Sequence, residues 1–196
     1  TSGPRILLWF DEISGPELNP MGSTLEKSEN PKFNVKAVGA FKQKAGCEDY
    51  AMDGLPAEKI DTLCGGECYN PSSERLKISR IEVVKITPQI NENEEVEDLI
   101  QDPWMVLPCE GENGCEVNFE DPDFIEQGRK SIYYVRAIQE ATDTINGDSL
   151  RCTYDEEGNC IEVKPCWGDY RVDSNDQCLS KEEHRAWSSP IYISKN

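Results

Sequence analysis

Short segments in which hydrophobic and polar residues alternate occur along the whole chain, and they predict β-strands. Phe33, Val35 and Ala37 recur at a spacing of two, which is typical of a strand with one buried and one solvated face. This alternation favours antiparallel over parallel sheets. Five segments rich in β-branched and aromatic residues carry the strand signal: residues 5–10, 33–41, 76–86, 131–139 and 190–194.

Helix signals are few and short. Residues 56–64 have a proline at the start, an acidic first turn and a glycine pair directly after the end. Residues 180–183 have capping-box spacing, with Ser180 and Glu183 placed to cap backbone N–H groups. We therefore predict a mainly β protein, an antiparallel β-sandwich with long disulfide-stapled loops and one or two short helices.

The length of 196 residues suits one domain with its own core, and no repeat or linker divides it. We predict a single β-sandwich domain over residues 1–196. It carries an acidic, cysteine-rich loop insertion at residues 141–183, called the acidic insertion from here on. Because the first residues lead directly into a strand without a signal peptide, we expect the chain to be the C-terminal fragment of a longer protein.

The composition is strongly acidic and excludes some classes of partner. The chain has 38 Asp and Glu against 20 Lys and Arg, which gives a formal charge of −18. This charge repels phosphate backbones, so we expect no nucleic-acid partner. The best apolar run, residues 6–10, is far below the roughly 18 residues that a bilayer requires, so we expect no membrane span.

Nine cysteines favour disulfides in a secreted or periplasmic protein. We expect Cys109 to pair with Cys115, and two bridges of open connectivity within a second group, which consists of Cys152, Cys160, Cys166 and Cys178. The remaining three are an odd number, so one of them is free or pairs outside this chain; they are Cys47, Cys64 and Cys68. Structural zinc is the weaker alternative, because close cysteine pairs and histidines are scarce.

An Asp-rich stretch within the acidic insertion is a candidate calcium site, because calcium takes six to eight oxygen ligands. Its candidate ligands are Asp169, Asp173, Asn175 and Asp176. The stretch does not follow the EF-hand pattern, and a solvated acidic loop is the alternative interpretation. No other cofactor is expected in this chain.

Two of the four tryptophans are candidate ligand contacts. Trp104 and Trp167 are predicted to lie on loops, where an exposed indole can stack on a sugar. Trp9 and Trp187 lie in strand contexts and are expected in the core. The single histidine, His184, lies in a charged stretch, and we assign no catalytic residue in this chain.

Two stretches near the carboxyl end carry a resemblance to a known fold. YYVRA at residues 133–137 and RAWSSPI at residues 185–191 resemble the last two strands of a fibronectin type III-like sandwich. The resemblance implies that the predicted sandwich is of the fibronectin type III or immunoglobulin-like kind.

With residues 1–10, 19–23 and 119–124 included, the chain resembles the carboxyl-terminal portion of a family of uncharacterised bacterial proteins, a domain-of-unknown-function family. The amino-terminal part of that family resembles PHP-type metal-dependent hydrolases. The resemblance implies that an upstream domain holds the metal ions and the polynuclear site that hydrolyses a phosphoester or similar bond. One histidine cannot supply such a site within this chain.

These observations lead to an expected function. We expect a non-catalytic C-terminal accessory domain of a secreted or periplasmic, phosphoesterase-like hydrolase of unknown substrate, with the upstream hydrolase-like domain of the same protein as partner. The alternative is a free-standing extracellular β-sandwich module that binds carbohydrate or calcium. A third interpretation, an enzyme complete within this chain, would need carboxylates that only folding brings together.

Overall fold

The computed structural model describes residues 5–44, 49–54, 56, 70–167 and 169–196. The helix predicted at residues 56–64 lies outside these ranges except for its first residue. Cys47, Cys64 and Cys68 lie outside them as well.

The elements are strands of three to nine residues and helical segments of four or five residues. In chain order the strands are β1 (Leu7–Ser14), β2 (Glu17–Pro20), β3 (Thr24–Lys27), β4 (Lys32–Val38), β5 (Phe41–Gln43), β6 (Pro71–Arg75), β7 (Ile78–Ile86), β8 (Ile100–Pro108), β9 (Cys115–Glu120), β10 (Ser131–Gln139), β11 (Thr142–Ile145), β12 (Cys152–Tyr154), β13 (Cys160–Val163), β14 (Leu179–Glu182), β15 (Arg185–Trp187) and β16 (Ile191–Lys195). The helical segments are α1 (Asp49–Met52), α2 (Val96–Leu99), α3 (Phe124–Gln127) and α4 (Gly147–Arg151). In α4 the backbone is left-handed, because residues 148–151 have φ between 50° and 64°. Across the ranges given above, no helix is long and apolar enough to cross a membrane.

Two sheets pack face to face and enclose the core. The first has the order β2-β1-β4-β9, and the second has the order β3-β16-β10-β7-β8, with β15 also pairing with β10. Aromatic rings join the sheets: the ring centres of Phe33 on β4 and Tyr133 on β10 are 4.8 Å apart, and Phe10 stacks on Phe33 at 5.4 Å. All three side chains are fully buried. The predicted antiparallel β-sandwich is confirmed.

The strand order is that of an immunoglobulin-like sandwich. β1, β4 and β9 take the places of strands A, B and E, while β7, β10 and β16 take those of C, F and G. β8 extends the second sheet beside β7. One pairing departs from the antiparallel expectation, because β3 runs parallel to β16, from Thr24 opposite Tyr192 to Lys27 opposite Lys195.

The five predicted strand segments correspond to β1, β4, β7, β10 and β16. The short helix predicted at residues 180–183 is wrong, because Leu179–Glu182 forms β14 and pairs with β11. A single helical turn leaves most of its backbone N–H and C=O groups without partners, whereas strand pairing satisfies them.

The acidic insertion lies between β10 and β15 and contains two small sheets. β11 pairs with β14 at its base, and β12 pairs with β13 farther along the chain. Two disulfides hold it: Cys152–Cys160 joins β12 to β13, and Cys166–Cys178 closes the loop between β13 and β14. The disulfide Cys109–Cys115 joins the residue after β8 to the start of β9. These three disulfides fit an oxidising compartment.

Trp9 and Trp187 are exposed, so the prediction that they lie in the core is wrong. Trp9 is 45% exposed and Trp187 is 59% exposed. On β1 the next residue, Phe10, occupies the inward position, and alternation turns Trp9 outward. On β15 the inward position belongs to Ala186, which lies opposite the buried Ala137.

Candidate functional site

A cleft of about 350 Å³ lies in the acidic insertion, between β13 and the loop that Cys166–Cys178 closes. Its charged walls consist of Arg151, Lys164, Arg171, Asp173 and Asp176, and Trp167 supplies an aromatic wall. Concave sites that combine an apolar surface with a few converging polar groups are the usual places for small ligands. The cleft is therefore the candidate functional site.

Trp167 is 57% exposed, yet its backbone is tightly held. The preceding residue, Cys166, is bonded to Cys178. Asn146 also binds Cys166 twice, because its Nδ2 donates to the Cys166 carbonyl at 3.1 Å and its Oδ1 accepts the Cys166 N–H at 2.6 Å. One covalent and two polar contacts thus fix the residue that precedes the exposed indole.

Arg171 packs on the indole of Trp167. Its guanidinium carbon is 4.4 Å from the ring centre, which is a cation–π contact. Nη2 of the same guanidinium pairs with Asp169 Oδ2 at 2.5 Å. The hydrogen bond from the Arg171 side chain lowers the pKa of Asp169, so this carboxylate stays charged near neutral pH.

The second arginine of the cleft is held by an aspartate. Arg151 Nη2 pairs with Asp176 Oδ2 at 2.7 Å. The backbone N–H of Cys178, followed by the Arg151 side chain, lowers the pKa of Asp176. The arginine, the aspartate and the disulfide are therefore linked in one contact network.

The four candidate calcium ligands have separate partners. Asp169 and Asp176 pair with arginines, as described above, and Asp173 Oδ1 accepts the backbone N–H of Asn175 at 2.8 Å. Among the residues that the structure describes, no group of three or more His, Cys, Asp or Glu side chains could hold a metal ion. Calcium binding by this stretch stays a prediction.

Trp104 lies on β8, so its predicted loop position is wrong. β8 is an edge strand, and an edge strand tolerates Pro103 because a proline there removes no hydrogen bond between strands. The Trp104 ring centre lies 6.2 Å from that of Phe119 and 6.1 Å from that of Tyr133. Trp104 therefore packs at the border of the core, and its ligand contact stays a prediction.

His184 lies at the base of the acidic insertion. Its Nε2 is 3.1 Å from Thr144 Oγ1, and its carbonyl oxygen accepts the backbone N–H of Gln139. These contacts connect β11 and the end of β10 to His184, which lies between β14 and β15.

A chain of ion pairs on the outer face of the second sheet ties the acidic insertion to the sandwich. Arg80 donates two hydrogen bonds of 2.8 Å to the Glu183 carboxylate and a third to Glu82. Arg136 then connects Glu82, at 2.8 Å, to Asp102. The two-pronged contact with Arg80 lowers the pKa of Glu183.

An apolar patch lies on the outer face of the first sheet, at the amino-terminal end of β1. Leu7 and Trp9 are 42% and 45% exposed, and Val38 lies opposite Leu7 in the β1–β4 pair. A depression of about 230 Å³ lies beside Val38 and is also lined by Lys36 and Asn113. Leu7, Trp9 and Val38 are called the β1 patch below.

Sequence reasoning identified Trp167 but missed the cations of the cleft. Arg151, Lys164 and Arg171 are scattered among carboxylates, and the fold brings them together. One signal was available, because Arg151 is adjacent to Cys152 and Lys164 lies two residues before Cys166. Disulfides hold neighbouring side chains close together, so cations next to cysteines are candidates for a shared site.

Comparisons of the chain with protein-family models, with curated proteins and with solved structures each found no match. Functional inference therefore starts from the side chains of this chain.

Proposed function

We propose that this chain is a non-catalytic C-terminal accessory domain of a secreted or periplasmic protein whose upstream domain resembles a PHP-type metal-dependent hydrolase. Its role is to pack against that upstream domain and to shape access to the hydrolytic site. The observation that carries the proposal is the β1 patch.

Exposed apolar side chains that lie side by side on a rigid sheet are typical of contact surfaces. Trp9 is the largest side chain of the β1 patch, and tryptophan is enriched among the residues that dominate protein interfaces. The depression beside Val38 offers a place for a side chain of the partner surface.

The position of the β1 patch supports the choice of partner. Leu7 is the first residue of the first strand, so an upstream domain would connect to the sandwich directly beside the patch. Short connections usually place consecutive units next to each other. The three disulfides support the proposed oxidising compartment, since such bonds persist in secreted and periplasmic proteins.

The first test is the mass and sequence of the natural protein in its source cells, measured by immunodetection and mass spectrometry. The expected product is much larger than these 196 residues and has a histidine-rich upstream part. A natural product no larger than these 196 residues would contradict the proposal and would favour a free-standing binding module.

A second test uses the larger natural product with Leu7→Ser and Trp9→Ser combined. The expected result is that a limiting protease cleaves between the two parts roughly thirtyfold faster, because losing an interface tryptophan commonly costs about 2 kcal/mol. Trp187→Ser is the matched control, since Trp187 is exposed on the other sheet. Equal cleavage rates in all three proteins would contradict the proposed contact.

A further inference from the structure

The acidic insertion gathers its few cations around one aromatic ring. It contains four Lys and Arg residues, and three of them, Arg151, Lys164 and Arg171, line the cleft beside Trp167; the fourth is Lys181. The protein carries a formal charge of −18, whereas the charged residues that line the cleft are three cations and two carboxylates. Arg151, Arg171 and Lys164 pair with Asp176, Asp169 and Glu162, so the cleft is close to neutral rather than strongly acidic. This arrangement favours a ligand that carries a carboxylate or a similar anion.

The two arginines keep donors for such a ligand. A guanidinium has five N–H donors. Arg151 uses Nη2 for Asp176, and Arg171 uses Nε and Nη2 for Asp169. Nη1 of each arginine makes no hydrogen bond within the residues described, and a planar carboxylate matches guanidinium geometry.

Trp167 gives the ligand a flat apolar surface. The Cys166–Cys178 bond and the two Asn146 contacts hold its backbone, so little conformational entropy is lost when a ring stacks on it. Asp173 and Asp176 on the cleft wall add carboxylate oxygens, which accept hydrogen bonds from hydroxyl groups. An aromatic surface, cations and acceptors together match a sugar ring with an acid group.

We propose that the cleft binds a short acidic saccharide that ends in a uronic acid. The pyranose ring stacks on Trp167, the carboxylate meets Arg151, Lys164 and Arg171, and ring hydroxyls donate to Asp173. The volume of about 350 Å³ is at the lower end of the range of small-molecule sites, which suits one or two sugar rings. The formal charge of −18 on the protein disfavours long polyanions, which would extend beyond the cleft.

The test is isothermal titration of the oxidised chain with digalacturonate and with galactobiose, two disaccharides that differ in their carboxylate groups. Digalacturonate is expected to bind at least tenfold more tightly than galactobiose. Trp167→Ala and Arg171→Gln are each expected to weaken digalacturonate binding roughly tenfold, because stacking and charge-assisted contacts each contribute about 1.4 kcal/mol. Trp187→Ala, which removes an exposed tryptophan elsewhere, leaves binding unchanged.

Three results would overturn the proposal: no binding of either disaccharide at millimolar concentration, equal affinity for both, or full binding by Trp167→Ala. Trp167→Phe keeps an aromatic surface and is expected to retain most of the binding. If Trp167→Ala fails to form its disulfides, Trp167→Phe and Arg171→Gln decide the question.

Discussion

Lys85, Asp121 and Tyr133 form a buried polar cluster in the interior of the protein. Lys85 Nζ is 2.6 Å from Asp121 Oδ2, and the Tyr133 hydroxyl donates to the same oxygen at 2.5 Å. Lys85 also donates to Gln127 at 2.9 Å. The three clustered residues are at most 3% exposed, so their polar atoms depend on one another for partners. The cluster joins β7, β10 and the loop after β9, near the place that a tyrosine corner occupies in immunoglobulin-like sandwiches.

Asp121→Ala is expected to lower the free energy of unfolding by about 3–5 kcal/mol, because it leaves the Lys85 ammonium buried without its partner. Urea unfolding of the oxidised protein at neutral pH measures the change. Glu126→Ala, at an exposed position of α3, is the control and is expected to stay within about 0.5 kcal/mol of the parent. A loss below about 1 kcal/mol for Asp121→Ala would show that the pair contributes little.

Tyr133→Phe is expected to lower the free energy of unfolding by about 1–3 kcal/mol at neutral pH, because the buried Asp121 oxygen loses a donor. Burial and then the hydrogen bond to Asp121 raise the pKa of Tyr133 above its ordinary value of 10.0. The folded state thus favours the protonated phenol, so this contribution is complete below pH 10 and is lost as pH rises above it.

The free energy of unfolding, measured with urea at about pH 8 and at about pH 11, is therefore expected to fall less between the two pH values for Tyr133→Phe than for the parent. Tyr170→Phe, at a position that is 95% exposed, is the matched control and should keep the parent difference. An equal alkaline loss in Tyr133→Phe and the parent would contradict the assignment.

The apolar character of Trp9 led to the wrong prediction that this side chain lies in the core. Residues 6–10 are apolar without interruption, so no alternation indicates which side chains face the core. The structure places Phe10 inside and Trp9 outside, because β1 must also direct Glu12 toward the buried Lys27, 2.7 Å away. The pair of Glu12 and Lys27 could not be recognised from sequence, since its members lie on different strands, β1 and β3.

At the scale of elements, the sequence predicted the strands that are rich in β-branched and aromatic residues and missed β8 and β9, which contain prolines or charges. β8 contains Pro103 and Pro108, and β9 alternates Glu and Asn with apolar residues over only six positions. Both are edge strands, with one neighbour each, so tertiary pairing rather than propensity determines them.

Cys166→Ser combined with Cys178→Ser is expected to abolish measurable digalacturonate binding while the sandwich stays folded. The Cys166–Cys178 disulfide closes the loop that carries Trp167, whereas the side chains of the hydrophobic core lie outside the acidic insertion. Titration and far-ultraviolet circular dichroism measure the two effects separately.

The matched control removes Cys109–Cys115, which closes a loop on the sandwich. This change is expected to leave binding intact and to lower the free energy of unfolding by about 2 kcal/mol. Retained binding without Cys166–Cys178 would show that the cleft does not depend on that disulfide.

At the scale of the whole molecule, acid is expected to loosen the acidic insertion before it unfolds the sandwich. The hydrogen bonds from Arg80 lower the pKa of Glu183 below its ordinary value of 4.5. A lowered pKa means that the pair contributes fully above pH 4.5 and is lost as pH falls below that value. Nuclear magnetic resonance should show the Arg80 Nη signals and the β14 amide signals shifting in that range.

Glu183→Gln is expected to lack this acid transition, because its amide does not titrate. Glu162→Gln is the control, since Glu162 pairs with Lys164 within the acidic insertion rather than with the sandwich. An unchanged transition in Glu183→Gln would show that other carboxylates hold the acidic insertion.

The class of fold could be predicted from sequence, but the arrangement of the cleft could not. Alternation indicates buried faces, and the YYVRA and RAWSSPI stretches point to the last two strands. The cleft depends on the contact of Asn146 with Cys166 and on that of Arg151 with Asp176, and the members of each pair are distant in sequence and belong to no periodic pattern. Disulfide connectivity among the last four cysteines was likewise open until the strands were paired.

The parallel pairing of β3 with β16 determines how the molecule would respond to a pulling force. A pull applied at Thr24, the start of β3, and at Lys195, the end of β16, slides the two strands past each other. Their hydrogen bonds, including Tyr192 N–H to the Ser23 carbonyl at 2.9 Å, are then loaded together rather than one after another. The residues that lie between β3 and β16 in sequence are outside the path of the force. The acidic insertion and its cleft therefore keep their shape while β3 and β16 are under tension.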